Sequence, residues 1–251
     1  MDECEALDQE YAEDPGEFKF VPLGLTDKPG TKTIRYVAAE PSSGTTGPLG
    51  IEDTRKLTCP LPALEVASRE ESFVRLDDWM NENAIGRADF LKLDVEGSEV
   101  HVLRGAEKTL GDVRVVLSEV NFNDWIPSHF SQVDSLLREN GFLLWRLGNL
   151  IHHRLYSDLY RSRGRVEVSF YNSTMTEHAD PGGMLFQGYG YWIKTDLVHK
   201  PPSSVQQALR DAILAEACGF SDLAGTLLSK CDSLPFDLDK VYVPERVPQF
   251  V

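Results

Sequence analysis

Two apolar runs constrain this chain more than any other feature: ADFLKLDV at residues 88–95 and RVVLSEV at 114–120. Each is bounded by polar residues, the mark of a strand buried on both faces of a parallel sheet. Between them, SEVHVLRGAEKTLGD (98–112) places Val100, Leu103, Ala106 and Leu110 at helical spacing, with Ser98 and Glu99 suited to its start and Gly111 to its end. SHFSQVDSLLRENG (128–141) repeats the helical pattern through Val133, Leu136 and Leu137, and FLLWRL (142–147) is one more strand. The alternation β-α-β-α-β predicts a parallel sheet with right-handed crossovers.

The flanks are less regular. FKFVPLGL (18–25) and TKTIRYVAA (31–39), separated by TDKPG, predict a hairpin. The Gly-, Ser-, Thr- and Pro-rich stretch from Glu40 to Pro62 predicts a long loop, a candidate lid. SFVRL (72–76) is a short strand, and Asp77 is placed to cap the helix DDWMNENA that follows. GYGYWIKTDL (188–197) is a final strand expected to pair with FLLWRL. Beyond Pro201, SSVQQALRDAILAEACG and SDLAGTLLSKC, the latter opened by Ser221, predict a helical hairpin packed on the sheet. The expected organisation is an acidic segment over 1–17, a sheet domain over 18–200 and a helical tail over 201–251.

Charge narrows the partners. Twenty-five basic against 40 acidic residues leave a net charge of −15, and eight of the acids fall in the first 17 residues. Such a balance opposes general binding to nucleic acid or to anionic membrane. No apolar run approaches a bilayer span and the start is acidic, so a cytoplasmic chain is expected. The cysteines Cys4, Cys59, Cys218 and Cys231 are scattered and fit neither a zinc site nor a disulfide framework.

Ligands of open parallel sheets sit at the carboxyl ends of the strands. Those ends carry Asp94, Glu96, Gly97 and Glu99 after the first run, and Glu119, Asn121, Asn123 and Asp124 at the close of the second. Three carboxylates within six residues repel one another unless water, a cation or a ligand offsets the charge. Asp94 is the leading functional candidate, with Glu96 and Asn121 beside it, while Glu99 is read as favouring the positive end of the next helix. Lys92, on the same strand face as Asp94, is read as its neutralising partner. A divalent cation, if one assists, would take Asp94, Glu119 and Asn121 as hard oxygen ligands. His129, His152 and His153 are read as surface histidines rather than bases. Arg154, Arg161, Arg163 and Arg165, interleaved with Tyr156, Tyr160 and Tyr171, would clamp a phosphorylated or sugar substrate or pair with the chain's own carboxylates.

The string LDDW…DFLKLDVEGSEVHVLRGAEKTL…VRVVLSEVNF…GF over residues 76–142 resembles the core of FkbM-family methyltransferases. Their signature joins a Leu-Asp-Asp strand end to K-x-D-x-E-G-x-E and a following L-R-G-A, matched here by Lys92, Asp94, Glu96, Gly97, Glu99, Leu103, Arg104, Gly105 and Ala106. VPLGLTDKPGTKTI also resembles the family's segment before its variable loop. The resemblance implies a Rossmann-like class I α/β fold and an S-adenosylmethionine-dependent methyltransferase acting on a hydroxyl of a sugar or secondary metabolite. Asp94, Glu96 and Asn121 would be the catalytic residues, and Thr26 and Asp27 the cofactor contacts.

The family's opening strand, Gly-rich turn and helix are not found in this sequence. Its only G-x-G, Gly188 and Gly190, runs into Tyr191, Trp192 and Ile193, a strand rather than a helix. The expectation is therefore a partial sheet lacking its first β-α-β unit, which binds the cofactor weakly and self-associates through an uncovered sheet edge. The alternative function is a non-catalytic remnant or interaction module of the same fold. A carboxylate-bound metal hydrolase is a weaker third option, since no histidine neighbours Asp94 in sequence.

Overall fold

The structure is a computed structural model that describes residues 3–13, 18–37, 40–45, 66–124, 126–153 and 184–231. The Arg and Tyr cluster at 154–171, Cys59, and most of the expected lid lie outside the described residues. The elements in chain order are α1 (Glu3–Glu10), β1 (Gly24–Leu25), β2 (Gly30–Val37), β3 (Glu40–Thr45), β4 (Val66–Val74), α2 (Leu76–Glu82), β5 (Phe90–Leu93), α3 (Glu99–Arg104), α4 (Thr109–Asp112), β6 (Val115–Asn121), α5 (Phe130–Glu139), β7 (Phe142–His153), β8 (Met184–Lys194), α6 (Thr195–His199), α7 (Val205–Ala217) and α8 (Ser221–Ser229).

The strands form two four-stranded mixed sheets, ordered β1-β4-β2-β3 and β5-β6-β8-β7. In the second, β5 and β6 are parallel, with Leu93 level with Ser118. β8 runs against β6 on one side and against β7 on the other. β7 therefore points the same way as β5 and β6 without pairing with β6. The parallel β-α-β-α-β reading is correct in direction and in the pairing of β8 with β7; the antiparallel strand inserted between β6 and β7 is what it lacks.

One face of this sheet is packed by α3 and α5. Leu93, Val116, Val120 and Trp192 meet Val100, Leu103, Val133 and Leu137 in one apolar core. The other face carries α7 and α8, whose Ala212, Ala215, Leu223 and Leu227 cover Val115 and Ile193. Gly190 lies beneath Trp192, and a Cβ there would run into the indole ring. The G-x-G thus serves packing within a strand, as expected.

Several boundaries differ from expectation for local reasons. Of FKFVPLGL, Gly24 and Leu25 are in a strand, and Pro22 lacks the N–H that a longer ladder needs. β1 pairs with β4 in parallel rather than forming a hairpin with β2, because both edges of β2 are taken, by β4 and by β3. β3 itself occupies Glu40–Thr45, the first part of the stretch expected to be a loop. ADFLKLDV is buried on one face, not both: β5 is an outer strand, and Phe90 is 40% exposed. Ser221 is the first residue of α8 and donates to Glu216 rather than capping the helix. Ser204 is the side-chain cap of α7, accepting from the Gln207 N–H.

The single helix expected over 98–112 is broken at Gly105, where α3 ends. The backbone of Thr26 presses against that glycine so closely that a Cβ would meet the Thr26 carbonyl. The helix restarts at Thr109 under a cap from elsewhere. Asp77, expected to cap its own helix, instead accepts from the N–H groups of Lys108 and Thr109 at 3.0 and 2.9 Å and from the Thr109 hydroxyl at 2.7 Å. A carboxylate gains more by satisfying two orphan N–H groups of a distant helix than by lying along its own first turn.

Arg114 joins the C-terminal helices to the sheet. Its guanidinium forks onto Asp211 of α7 at 3.1 and 3.0 Å and onto Asp196 of α6 at 3.0 and 3.1 Å. Arg114 and Asp211 are both buried, so neither charge is tolerable alone. Replacing Arg114 by Leu should cost about 3–5 kcal/mol in urea unfolding, whereas replacing Arg114 and Asp211 together by apolar residues should recover most of that loss.

Burial pushes the Asp77 carboxyl up, but its hydrogen bonds outweigh this and hold it below the usual carboxylate range. A depressed carboxyl contributes stability that is present above the unfolded pKa and lost as pH falls through the folded one. Asp77→Ala should therefore cost about 1–3 kcal/mol at pH 7, and the gap between variant and parent should close progressively below about pH 4.

Candidate active site

β5 and β6 end side by side, and the alternation of strand side chains then decides what faces what. Lys92 and Asp94 point to the face shared by Leu117, Glu119 and Asn121, since Lys92 is level with Leu117. Directly across from Glu119 and Asn121 on β8 stand Tyr189 and Gln187. A polar row is thus laid over the carboxyl ends of the parallel strands, beyond the patch that α7 and α8 cover.

Asp94 is held from two sides. Lys92 Nζ lies 3.0 Å from Asp94 Oδ2, and the Tyr189 hydroxyl donates to the same oxygen at 2.9 Å. Oδ1 accepts no hydrogen bond among the described residues. The Asp94 side chain retains about a third of its exposure, so it stands at the mouth of the row.

Glu119 lies deeper and is 4% exposed. Its Oε1 accepts from the Gln187 amide. Burial pushes its carboxyl up to about 8, reinforced by the negative charges of Glu96, Glu99 and Asp94, with the Gln187 hydrogen bond opposing. Burial and the bond to Asp94 likewise push the Tyr189 phenol up. Asn121 is fully buried, and neither its amide oxygen nor its amide nitrogen has a hydrogen-bond partner among the described residues.

The turn joining β5 to α3 is strained. Glu96 has φ +51° and Gly97 φ +88°, while Ser98 N–H closes the turn on the Val95 carbonyl at 3.2 Å. A left-handed glutamate costs free energy, and such strain concentrates at functional sites. Gly97 is needed twice over, since a Cβ would also sit 3.0 Å from Ile126 and 3.1 Å from Pro127. Glu99 holds the turn from within: its Oε1 accepts from the Val95 and Gly97 N–H groups at 3.2 and 3.3 Å, while its buried Oε2 has no hydrogen-bond partner among the described residues. Burial is the main reason its carboxyl is pushed up. Glu99 thus secures the turn at the helix start.

Of the residues singled out in the sequence, Asp94, Glu96, Glu119 and Asn121 gather at the same strand ends, with Lys92 paired to Asp94. Thr26 and Asp27 do not join them in any described contact. Thr26 Oγ1 accepts from Lys32 Nζ at 2.6 Å and Asp27 bonds to His101 Nδ1 at 3.0 Å, which ties both to α3 and β2. Asn123 fastens the loop after β6, donating to the Phe186 carbonyl and accepting from the Ile126 N–H. His129 is half-buried at the start of α5, 3.9 Å from Asp124. Gln187 and Tyr189 were missed. Their signal is the alternation Q-G-Y-G-Y, which puts small residues on the core face and polar ones on the other. Among the described residues, no group of three or more His, Cys, Asp or Glu is arranged to hold a metal ion.

A carboxyl raised in the folded state binds a proton that the unfolded chain releases, so its contribution to stability falls as pH rises from about 4.5 through about 8. Glu119→Gln keeps the amide contact and removes this penalty. The variant should be more stable than its parent above pH 8, by on the order of 3–5 kcal/mol, and equal to it at pH 4, as read from urea midpoints.

No curated protein and no solved structure matches the chain. The family model described as the methyltransferase FkbM domain matches residues 12–144, more than half of the chain, from before β1 to the start of β7. That span contains the strained turn with Asp94, Glu96 and Glu99 and the strand with Glu119 and Asn121. By that match the chain belongs to the FkbM methyltransferase family.

Proposed function

We propose that the chain transfers a methyl group from S-adenosylmethionine to a hydroxyl of a sugar or secondary metabolite, with Asp94 receiving the acceptor. The observation that carries this reading is the Asp94 carboxylate, fixed through Oδ2 by Lys92 and Tyr189 while Oδ1 accepts no hydrogen bond among the described residues and the side chain keeps about a third of its exposure. A cofactor of this type is positive at its sulfonium and its ammonium, and the negative charge around the turn, with Glu96 in it, suits that end. When bound, it supplies an electrophilic methyl group.

The chain's own part is orientation and proton handling. Asp94 Oδ1 accepts the hydrogen bond of the acceptor hydroxyl and takes its proton as the oxygen bonds to carbon. Lys92 and Tyr189 keep the carboxylate from turning. Glu119, protonated near neutral pH, limits the negative charge that Asp94 has to face. The partial exposure of Asp94 lets the proton pass to water.

Transfer of labelled methyl from S-adenosylmethionine to a panel of sugars and polyols tests the reading. Asp94→Asn should lower the rate by about 10²–10⁴-fold with the circular dichroism spectrum unchanged. An undiminished rate would refute the role given to Asp94.

A further inference from the structure

In the second sheet β6 and β8 are paired along both edges, which leaves β5 and β7 as the outer strands. β7 carries three shifts of register against β8, the kind of irregularity that keeps an edge from pairing further. β5 runs in unbroken register with β6. The Asp89 carbonyl accepts from the Val115 N–H at 3.2 Å, so Leu91 and Leu93 turn their backbone groups to β6, while Phe90 and Lys92 turn theirs away from it. Among the described residues nothing pairs with that outward edge.

Phe90 and Lys92 each present one N–H and one C=O along this edge. A second copy of the strand, laid antiparallel about a two-fold axis at Leu91, brings its Lys92 opposite Phe90 and its Phe90 opposite Lys92, so every outward group of one chain meets an outward group of the other. We propose that β5 is an interface between two copies of this chain, joining their four-stranded sheets across the two-fold axis into one continuous sheet. The side chains suit the pairing as well as the backbone does. Phe90, 40% exposed in the single chain, is covered by the stem and ammonium of the second copy's Lys92.

Charge selects this edge too. Two copies of a chain carrying −15 repel each other over most of their surface. Along β5 and its ends the charges of Arg87, Asp89, Lys92 and Asp94 cancel, and they are paired within the chain, Arg87 with Asp89 at 2.7 Å and Lys92 with Asp94 at 3.0 Å. The contact between two such short strands is smaller than the ~1,200 Å² of a stable complex, so the pairing is reversible, with a dissociation constant on the order of 10–100 µM. It is independent of the preceding reading of Asp94, since it needs neither cofactor nor acceptor.

Sedimentation velocity of the full chain over about 5–500 µM should show a concentration-dependent dimer. Phe90→Lys sets an ammonium opposite each Lys92 and should weaken the dimer at least about tenfold, whereas Phe90→Glu sets a carboxylate there and should preserve it. Neither change touches the bonds from β5 to β6, so both variants should keep the circular dichroism spectrum of the parent. Leu91→Cys lies across the axis from its own copy, at the ~4.5 Å Cα spacing of a non-hydrogen-bonded pair, and should give a disulfide-linked dimer on mild oxidation. Ile213→Cys, 70% exposed on α7, should not. A chain that stays monomeric throughout overturns the proposal, because the edge is then covered by another segment or left unpaired. A dimer that Phe90→Lys leaves at full strength, or that Leu91→Cys fails to cross-link, puts the contact on another surface and overturns it equally.

Discussion

β8 makes ladder bonds along both of its edges, to β6 and to β7, and runs against each. That insertion is the constraint on which the second sheet depends. It lets β7 keep the direction of the parallel strands without pairing to them. It also fixes the alternation of eleven residues between two environments, so Trp192 enters the core of α3 and α5 while Gln187 and Tyr189 face the carboxylates. The glycines at 188 and 190 follow from the same alternation: on the core side they leave room for Leu150 and for the Trp192 ring. A slip of one residue would exchange the two faces, placing a phenol and an amide in an apolar core and Trp192 beside Asp94.

Electrostatics separates the structural from the functional carboxylates. Asp77, Asp211 and Asp196 have found N–H groups or a guanidinium, with directional bonds that use most of their lone pairs. Glu119 has found one amide and is surrounded by charge of its own sign. The first kind holds elements together, since losing a partner leaves an uncompensated charge. The second kind is held in place by the elements, and its tension is local. The strained Glu96 backbone lies in the same turn, so the conformational and the electrostatic costs fall within a few residues of each other.

Much of this was legible in the sequence where one residue's neighbours along the chain determine its surroundings. The runs at 88–95 and 114–120 gave two adjacent parallel strands, and the gathering of Asp94, Glu96, Glu119 and Asn121 at their ends followed directly. What was not legible depends on segments far apart. Asp77 lies beside the first turn of its own helix in sequence, yet its bonds reach 31 and 32 residues ahead. The close approach of Thr26 to Gly105 is a contact that no helical periodicity can report. Phe90 looked like a core residue because apolar runs of that length usually are, and its exposure reflects a strand at the rim of its sheet. Gln187 and Tyr189 were passed over because the polar half of a strand carries no mark of which strand it will face.

The order of the strands in space differs from their order in the chain, and this matters during synthesis. β6 leaves the ribosome first and β7 next, but the place beside β6 belongs to β8, which is complete only when residue 194 has been made. At the usual ~5–20 residues per second, the growing chain spends several seconds with β6 and β7 both finished and the strand between them still to come. During that interval the backbone N–H and C=O groups along one edge of β6 are open to premature pairing, with β7 itself or with another nascent chain. A strand inserted late gives the finished molecule its polar row and leaves the unfinished one an unprotected edge.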